Sequence, residues 1–391
     1  MQWLYEQQLL KLRLIIDMIN KRRLIRLTQD LIRINSQNPP GNEYEISRFV
    51  KNYLQHIGIK TKIYEFKKGR SNLVARLEGE NKRYTLLLSP HLDTVPAGGN
   101  WKFHPFKGTI YKKRIYGRGA TDDKGNLACA LEAMHSLIEE KIKLDYNLLF
   151  ASTADEESGS KFGLIPLIDK AILKPHACLI LDADDFNIVI AQKGLIHLKI
   201  KIRGKKAHGA YPYRGENAID KAIRIIQDIE RYRFRYKPHP LLRAPTVNIG
   251  TIHGGDKVNI VSDWCEFQLD IRFLPGMPEA RILDKIKKVI KKYTNKFSIE
   301  IESLQKPYQI DKRHRLVNYL IKAMRNLKMR PNVSGSEGAT VMTLFQDKDI
   351  AAVAFGFGSS GQSHMTNEYV KIDNLYKGAM VLEEFLKSYR F

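Results

Sequence analysis

Cysteine is scarce in this chain: among 391 residues there are three, Cys129, Cys178 and Cys265, far apart and odd in number. That excludes a disulfide framework and any Cys-x-x-Cys zinc or redox pair, and a reducing, cytoplasmic compartment is expected. Acidic residues are also few, 42 against 65 Lys plus Arg, leaving a formal net charge of +23. Long apolar runs are missing too. The first stretch, 1–23, carries Leu9, Leu10, Leu12, Leu14, Ile15, Ile16 and Ile19 but is broken by Lys11, Arg13 and Asp17. A bilayer needs ~20 uninterrupted apolar residues, and a secretory leader needs a basic start, an unbroken apolar block and a small-residue cleavage site. Neither is here, so 1–23 reads as an N-terminal helical extension and no membrane partner is expected. With 43% apolar and 27% charged residues, what remains is a soluble globular chain long enough for two domains.

The basic excess raises the question of nucleic acid. Its densest run, Lys285, Lys287, Lys288, Lys291 and Lys292, alternates with Ile286, Val289 and Ile290 at helical spacing, which describes a solvated helix face opposite a packed one. No helix-turn-helix, RNA-binding or zinc-finger pattern accompanies it. Nucleic acid is therefore not an expected partner.

Along the chain, Asn42 with Glu45, Ile46, Val50, Tyr53 and Leu54 before Gly58 predicts a capped amphipathic helix with a glycine stop. Short apolar runs then alternate with helices, an α/β pattern. Three runs, 84–89, 146–154 and 177–181, are near-continuously hydrophobic, as in a sheet covered on both faces. They end beside His91, beside Asp155, Glu156 and Glu157, and at Asp182, and ligands bind beyond the carboxyl ends of such strands. From about Gly194 the order becomes strand 196–202, helix 216–231, strands 246–251 and 264–273, helix 279–292 and strand 297–301, a ferredoxin-like βαββαβ unit. The expected organisation is an extension (1–23), a catalytic domain in two parts (24–194 and 304–391) with a mainly parallel sheet covered by helices, and an inserted domain (195–303).

The polar clusters at the strand ends are His91-Leu-Asp93, Asp122 within Gly117-Arg-Gly-Ala-Thr-Asp-Asp-Lys-Gly, Asp155-Glu156-Glu157, Asp182 and, late in the chain, Ser363-His364. Two histidines and several carboxylates suit a borderline-hard divalent ion such as zinc, and a shared carboxylate lets two ions sit close together. Each signal alone is weak. Their joint placement at successive strand ends is what points to metal.

These residues resemble the di-zinc aminoacylase and carboxypeptidase family, which includes acetylornithine deacetylase, succinyl-diaminopimelate desuccinylase and glutamate carboxypeptidase. The resemblance runs from about Leu24 to the C-terminus and also takes in Lys193-Gly194, Gly204-Lys-Lys-Ala-His208 and Asn367-Glu368-Tyr369. It implies a zinc-peptidase-like fold with an inserted lid and dimerisation domain, two divalent ions per subunit (zinc, with cobalt or manganese as alternatives) and a homodimer. His91 and Asp182 would hold one ion, Glu157 and His364 the other, with Asp122 bridging. Asp93 would accept the second ring N–H of His91 and fix its tautomer. Glu156 would be the general base. The peptide after Asp122 would be cis. His208 would reach into the partner's active site and stabilise the oxyanion, while Asn259, Arg272, Gly335 and Gly338 would contact substrate.

Three departures bear on specificity: Asp at 182 where deacylases often carry Glu, Glu337 in the glycine-rich loop where Asp is commoner, and Ser262 where relatives often have Pro. The expected activity is hydrolysis of a small N-acyl amino acid, such as an acetylornithine or succinyl-diaminopimelate. A dipeptidase, aminopeptidase or carboxypeptidase with the same machinery is the alternative. A catalytically silent protein binding an acidic partner is the rival of another class.

Overall fold

The structure, a computed structural model, describes residues 19–391 other than Asp347. Most of the extension expected over 1–23 lies outside the described residues; its end enters the helix Lys21–Arg33, capped by the Asn20 side chain on the Arg23 N–H. The chain divides into two compact units. One takes the residues up to Ile190, Ile310–Ser334 and Leu344–Phe391; the other takes Ala191–Gln309 and Gly335–Thr343.

The first unit is built on a mixed sheet ordered Lys60–Glu65, Ser71–Leu77, Asn147–Ser152, Thr85–Ser89, Ala177–Ile180, Ala351–Phe355, Asn187–Gln192. The four strands at its centre, Asn147–Ser152 to Ala351–Phe355 in that order, are mutually parallel. The margins pair antiparallel. Thr85–Ser89, Asn147–Ser152 and Ala177–Ile180 are buried at every position, so their unbroken apolar runs require cover on both faces. Helices supply it: Lys124–Glu139 packs against Ile372–Ser388, which also meets Arg315–Asn326, and Tyr44–His56 lies on the antiparallel margin. Gly378 lets the last helix approach closely, since a Cβ there would fall 2.2 Å from the Phe357 ring.

The helix predicted after Asn42 is Tyr44–His56, and Gly58 follows it with φ +82°. Its start differs from the expectation. No side chain caps it, and Glu43, the residue at the cap, has its carboxylate buried against Arg70 at 2.7 Å. A buried ion pair has taken the acidic group that would otherwise serve the helix end.

The second unit has the order Gly194–Arg203, Ala218–Arg231, Thr246–Gly254, Trp264–Phe273, Glu279–Lys291, Phe297–Gln305. Its antiparallel sheet is ordered Thr246–Gly254, Trp264–Phe273, Gly194–Arg203, Phe297–Gln305, the ferredoxin-like arrangement with the first and third strands central. Burial alternates along Trp264–Phe273, and Ile196, Leu198, Ile200, Phe267, Leu269 and Ile271 meet Ile225, Ile229, Ile286 and Ile290 of the two helices in one core. The lysines from 285 to 292 are exposed while Ile286, Val289 and Ile290 are buried, as the helical spacing predicts.

Candidate metal centre

Five turns of the first unit bring the acidic and imidazole groups together. His91 and Asp182 stand two residues beyond Thr85–Ser89 and Ala177–Ile180, Glu156 and Glu157 open a single helical turn after Asn147–Ser152, and Asp122 precedes Lys124–Glu139. His364 comes from the loop before Tyr369–Lys371. His91 Nε2 lies 2.9 Å from Asp122 Oδ1. His364 Nε2 lies 3.3 Å from Asp122 Oδ2 and 3.1 Å from Glu157 Oε2. Asp122 thus stands between the two imidazoles, and ligand atoms of His91, Asp122 and Glu157 all fall within 4.8 Å of one another. The Asp122–Asp123 peptide is cis.

The electrostatics call for a cation. Burial, joined by Asp122 and Glu157, pushes Asp182 up to about 7. Burial, with Asp182 and Glu157 as like charges, drives Glu156 well above the carboxylate range. Burial does the same to Asp123. His364 is carried up to about 10 by its bonds to Asp122 and Glu157. His91, although burial pulls it down, is driven well above its ordinary value by Asp123, Asp122 and Asp93. Asp122, despite burial, is held low by the two histidines. Glu157 Oε1 is buried without any hydrogen-bond partner, an expense that a metal bond would remove. Nitrogen and carboxylate donors converging in this way fit a borderline-hard divalent ion.

The expected ring bond of His91 is arranged differently. Its Nδ1 is 2.9 Å from the main-chain carbonyl of Asp93 and 3.5 Å from the carboxylate. The carboxylate is engaged elsewhere: it accepts the N–H groups of Glu156 at 3.0 Å and Glu157 at 3.2 Å, and the Asn38 amide at 2.9 Å. Asp93 therefore orients His91 through its backbone and the Glu156-Glu157 turn through its side chain.

Several groups escaped the reading of the sequence. Asp123 accepts the His91 main-chain N–H at 2.8 Å and the Asn126 amide at 2.6 Å. Arg70, buried, joins Asp155 at 2.8 Å to Glu43 and reaches Asn38 at 3.2 Å. Glu368 and Arg118 form a buried pair at 2.7 Å. Glu368 and Arg118 stand within motifs already singled out; Arg70 is marked only as a polar residue before an apolar run, and Asn38 only as a polar residue before two prolines, signals too common to act on.

The remaining sequence-picked residues belong to the second unit. His208 pairs across the short strand with Ile260 and is exposed; its Nδ1 accepts the Ala210 N–H at 3.0 Å. Neutral His208 then carries its proton on Nε2. The Asn259 carbonyl accepts the Gly209 N–H at 2.8 Å. Arg272 has its guanidinium engaged at 2.7 and 3.0 Å by Asp270, two residues before it on the same strand. Gly335 is pressed against Leu241 and Leu242, and Gly338 donates to Ser336 Oγ at 3.1 Å. Between them Glu337 meets buried Lys193 at 2.5 Å and the Arg243 N–H at 2.9 Å.

Known proteins resemble this chain. A sequence profile of peptidase family M20/M25/M40 matches residues 87–388, and the chain belongs to that family; it is a metallohydrolase of the peptidase type. An uncharacterized metallohydrolase of Methanococcus maripaludis is 30% identical over 93% of this chain and 98% of its own length. A succinyl-diaminopimelate desuccinylase of Orientia tsutsugamushi is 28% identical over 92% of this chain and 94% of its own. A tripeptidase structure from Staphylococcus aureus superposes with a TM-score of 0.79 at 26% identity, covering 95% of this chain and 98% of that one.

Proposed function

We propose that this protein hydrolyses the amide bond of a small N-acyl amino acid at a centre of two divalent ions, with zinc the first choice and cobalt or manganese the alternatives. The observation that carries the reading is Asp122 standing between His91 and His364, with Glu157 against His364 and Glu156 next to it in the chain. His91 and Asp182 would hold one ion and Glu157 and His364 the other, with Asp122 available to both. Asp182 is outside the tight trio, yet its charge is felt by Glu156. The ions supply Lewis acidity and make water a nucleophile at neutral pH.

Glu156 performs the proton transfer. Its carboxylate takes a proton as the water oxygen bonds to the substrate carbonyl carbon, and returns it to the nitrogen when the C–N bond breaks. The Asp93 carboxylate, bound to the N–H groups of Glu156 and Glu157, keeps the base on its turn. His208, with an Nε2 proton set by the Ala210 bond, is suited to donate to the developing oxyanion. Asn259, Gly335 and Gly338 contact substrate, and Arg272 grips a carboxylate once its fork is shared with Asp270.

The name of the Orientia relative favours a deacylase. Asp182 and the 26% identity to a tripeptidase favour cleavage of unblocked peptides as the second reading. A homodimer through the second unit is supported by the edge strand Thr246–Gly254, whose outer positions are exposed. Sedimentation analysis tests that. Three free, buried cysteines support the cytoplasmic reading. No helix among the described residues is long and apolar enough to cross a membrane.

The test is elemental analysis with assays on N-acetylornithine, N-succinyl-diaminopimelate and unblocked dipeptides, using the wild type and Glu156→Ala. About two ions in both proteins, with activity only in the wild type, is expected. Hydrolysis of dipeptides alone would move the protein to the peptidase reading.

A further inference from the structure

The buried pair Arg118–Glu368 is tied to two of the groups that converge on the centre, Asp122 and His364, although these are distant in sequence. Glu368 receives Arg118 Nη1 at 2.7 Å. Its two oxygens also accept the main-chain N–H groups of Gly119 at 3.0 Å, Thr121 at 2.8 Å and Asp122 at 3.1 Å. One carboxylate thereby sets the backbone that presents Asp122. Arg118 Nη2 points the other way, to the carbonyls of Pro96 at 3.2 Å, Ala97 at 3.3 Å and His364 at 3.4 Å. Arg118 is 2% exposed and Glu368 1%, so no water competes for these bonds.

The contrast with the other side of the centre is physical. His91 and Asp182 follow directly on buried parallel strands, which hold their backbones. His364 lies in a loop, is half exposed and has φ +64°; its carbonyl accepts a hydrogen bond from Arg118.

We infer that Arg118 and Glu368 are positioning residues, Glu368 for the backbone that presents the shared Asp122 and Arg118 for the loop of His364, so that Arg118 governs the affinity of the ion assigned to Glu157, His364 and Asp122 in preference to its neighbour. The inference rests on the two-ion reading. A guanidinium is suited to the task because its planar fork serves a carboxylate and several carbonyls at once, and a lysine ammonium cannot.

The test is calorimetric titration of metal-free protein with zinc, for the wild type, Arg118→Met, Arg118→Lys, Glu368→Gln and His364→Ala. The expected result is that Arg118→Met weakens one ion ~10–100-fold, the usual cost of removing an outer partner of a ligand, and leaves the other within about threefold, whereas Glu368→Gln, acting through the shared Asp122, weakens both. The ion that Arg118→Met weakens is the one His364→Ala abolishes. Arg118→Lys, the variant most certain to fold, weakens the same ion by less. In a His364→Ala background Arg118→Met then leaves the remaining ion within about threefold, because its effect ran through the lost site. Equal weakening of both ions, or two wild-type affinities, in Arg118→Met overturns the inference. A wild type that binds fewer than two ions overturns the two-ion reading itself, a distinguishable result.

Discussion

The two units treat their candidate functional residues in opposite ways. In the first, His91, Asp122 and Glu157 are drawn into a cluster, and beside it Asp182 and Glu156 are buried among like charges that oppose their ionisation until a cation joins them. In the second, His208 and Asn259 lie on the surface, and Arg272 is neutralised by Asp270. A site that must hold an ion needs its frustration built into the folded chain. A site that recognises a passing substrate does better with groups that are satisfied, or solvated, before the substrate arrives. Removing a candidate metal ligand of the first unit should therefore change metal content, while removing one of the second unit's candidate residues should change only kinetics.

The largest effect is expected from Asp122→Ala, which removes the shared ligand: elemental analysis should find less than one ion where the wild type has about two, with no measurable hydrolysis. Next comes Glu156→Gln, with kcat lower by about 10²–10⁴ and metal content unchanged; loss of metal in this variant would make Glu156 a ligand instead. His208→Ala should retain full metal content and lose about 10²–10³ in kcat, the cost of one oxyanion donor. A change in its metal content would erase the contrast between the units.

Smaller is the pH response of the metal-free protein, read from urea midpoints. His364 has a folded value of about 10 against 6.5 for the free group, so its stabilising charge is complete below 6.5 and lost as pH rises toward 10. Asp182, about 7 against 3.8, binds its proton more firmly folded than unfolded, so its ionisation costs stability as pH rises from about 4 to 7. Both terms make metal-free protein less stable at higher pH, and added zinc should abolish the slope. Smallest is Arg272→Ala, whose part-exposed pair with Asp270 is worth less than ~1 kcal/mol. Thermal stability should hardly move while KM rises about tenfold. An unchanged KM would remove Arg272 from the substrate site.

Legibility followed the same division. His91, Glu156, Glu157 and Asp182 were readable because each stands at the end of an apolar run, and a buried parallel strand can end in few other places. The ferredoxin-like order was readable from alternating polarity, seen in Trp264–Phe273. Other parts were not. Nothing in the sequence singled out Glu43, and only its encounter with Arg70, 27 positions on, made it a buried ion partner. Asp93 was assigned to the ring of His91, whereas its carboxylate serves the turn at Glu156 and Glu157, since a short side chain bonds whatever donors packing brings to it.

What the sequence by itself determined is the set of elements and the chemistry at their ends: hydrophobic periodicity is local, and a divalent ion needs imidazole and carboxylate wherever it binds. Tertiary structure alone decided how those groups are held. Glu368 meets the N–H of Asp122 across 246 positions, and Arg118 meets the carbonyl of His364 across the same separation. Nothing periodic in the chain encodes such a bond. It exists because a buried donor and a buried acceptor with no water to turn to must find each other, and which ones are neighbours is settled only when the sheet and its helices have closed around them.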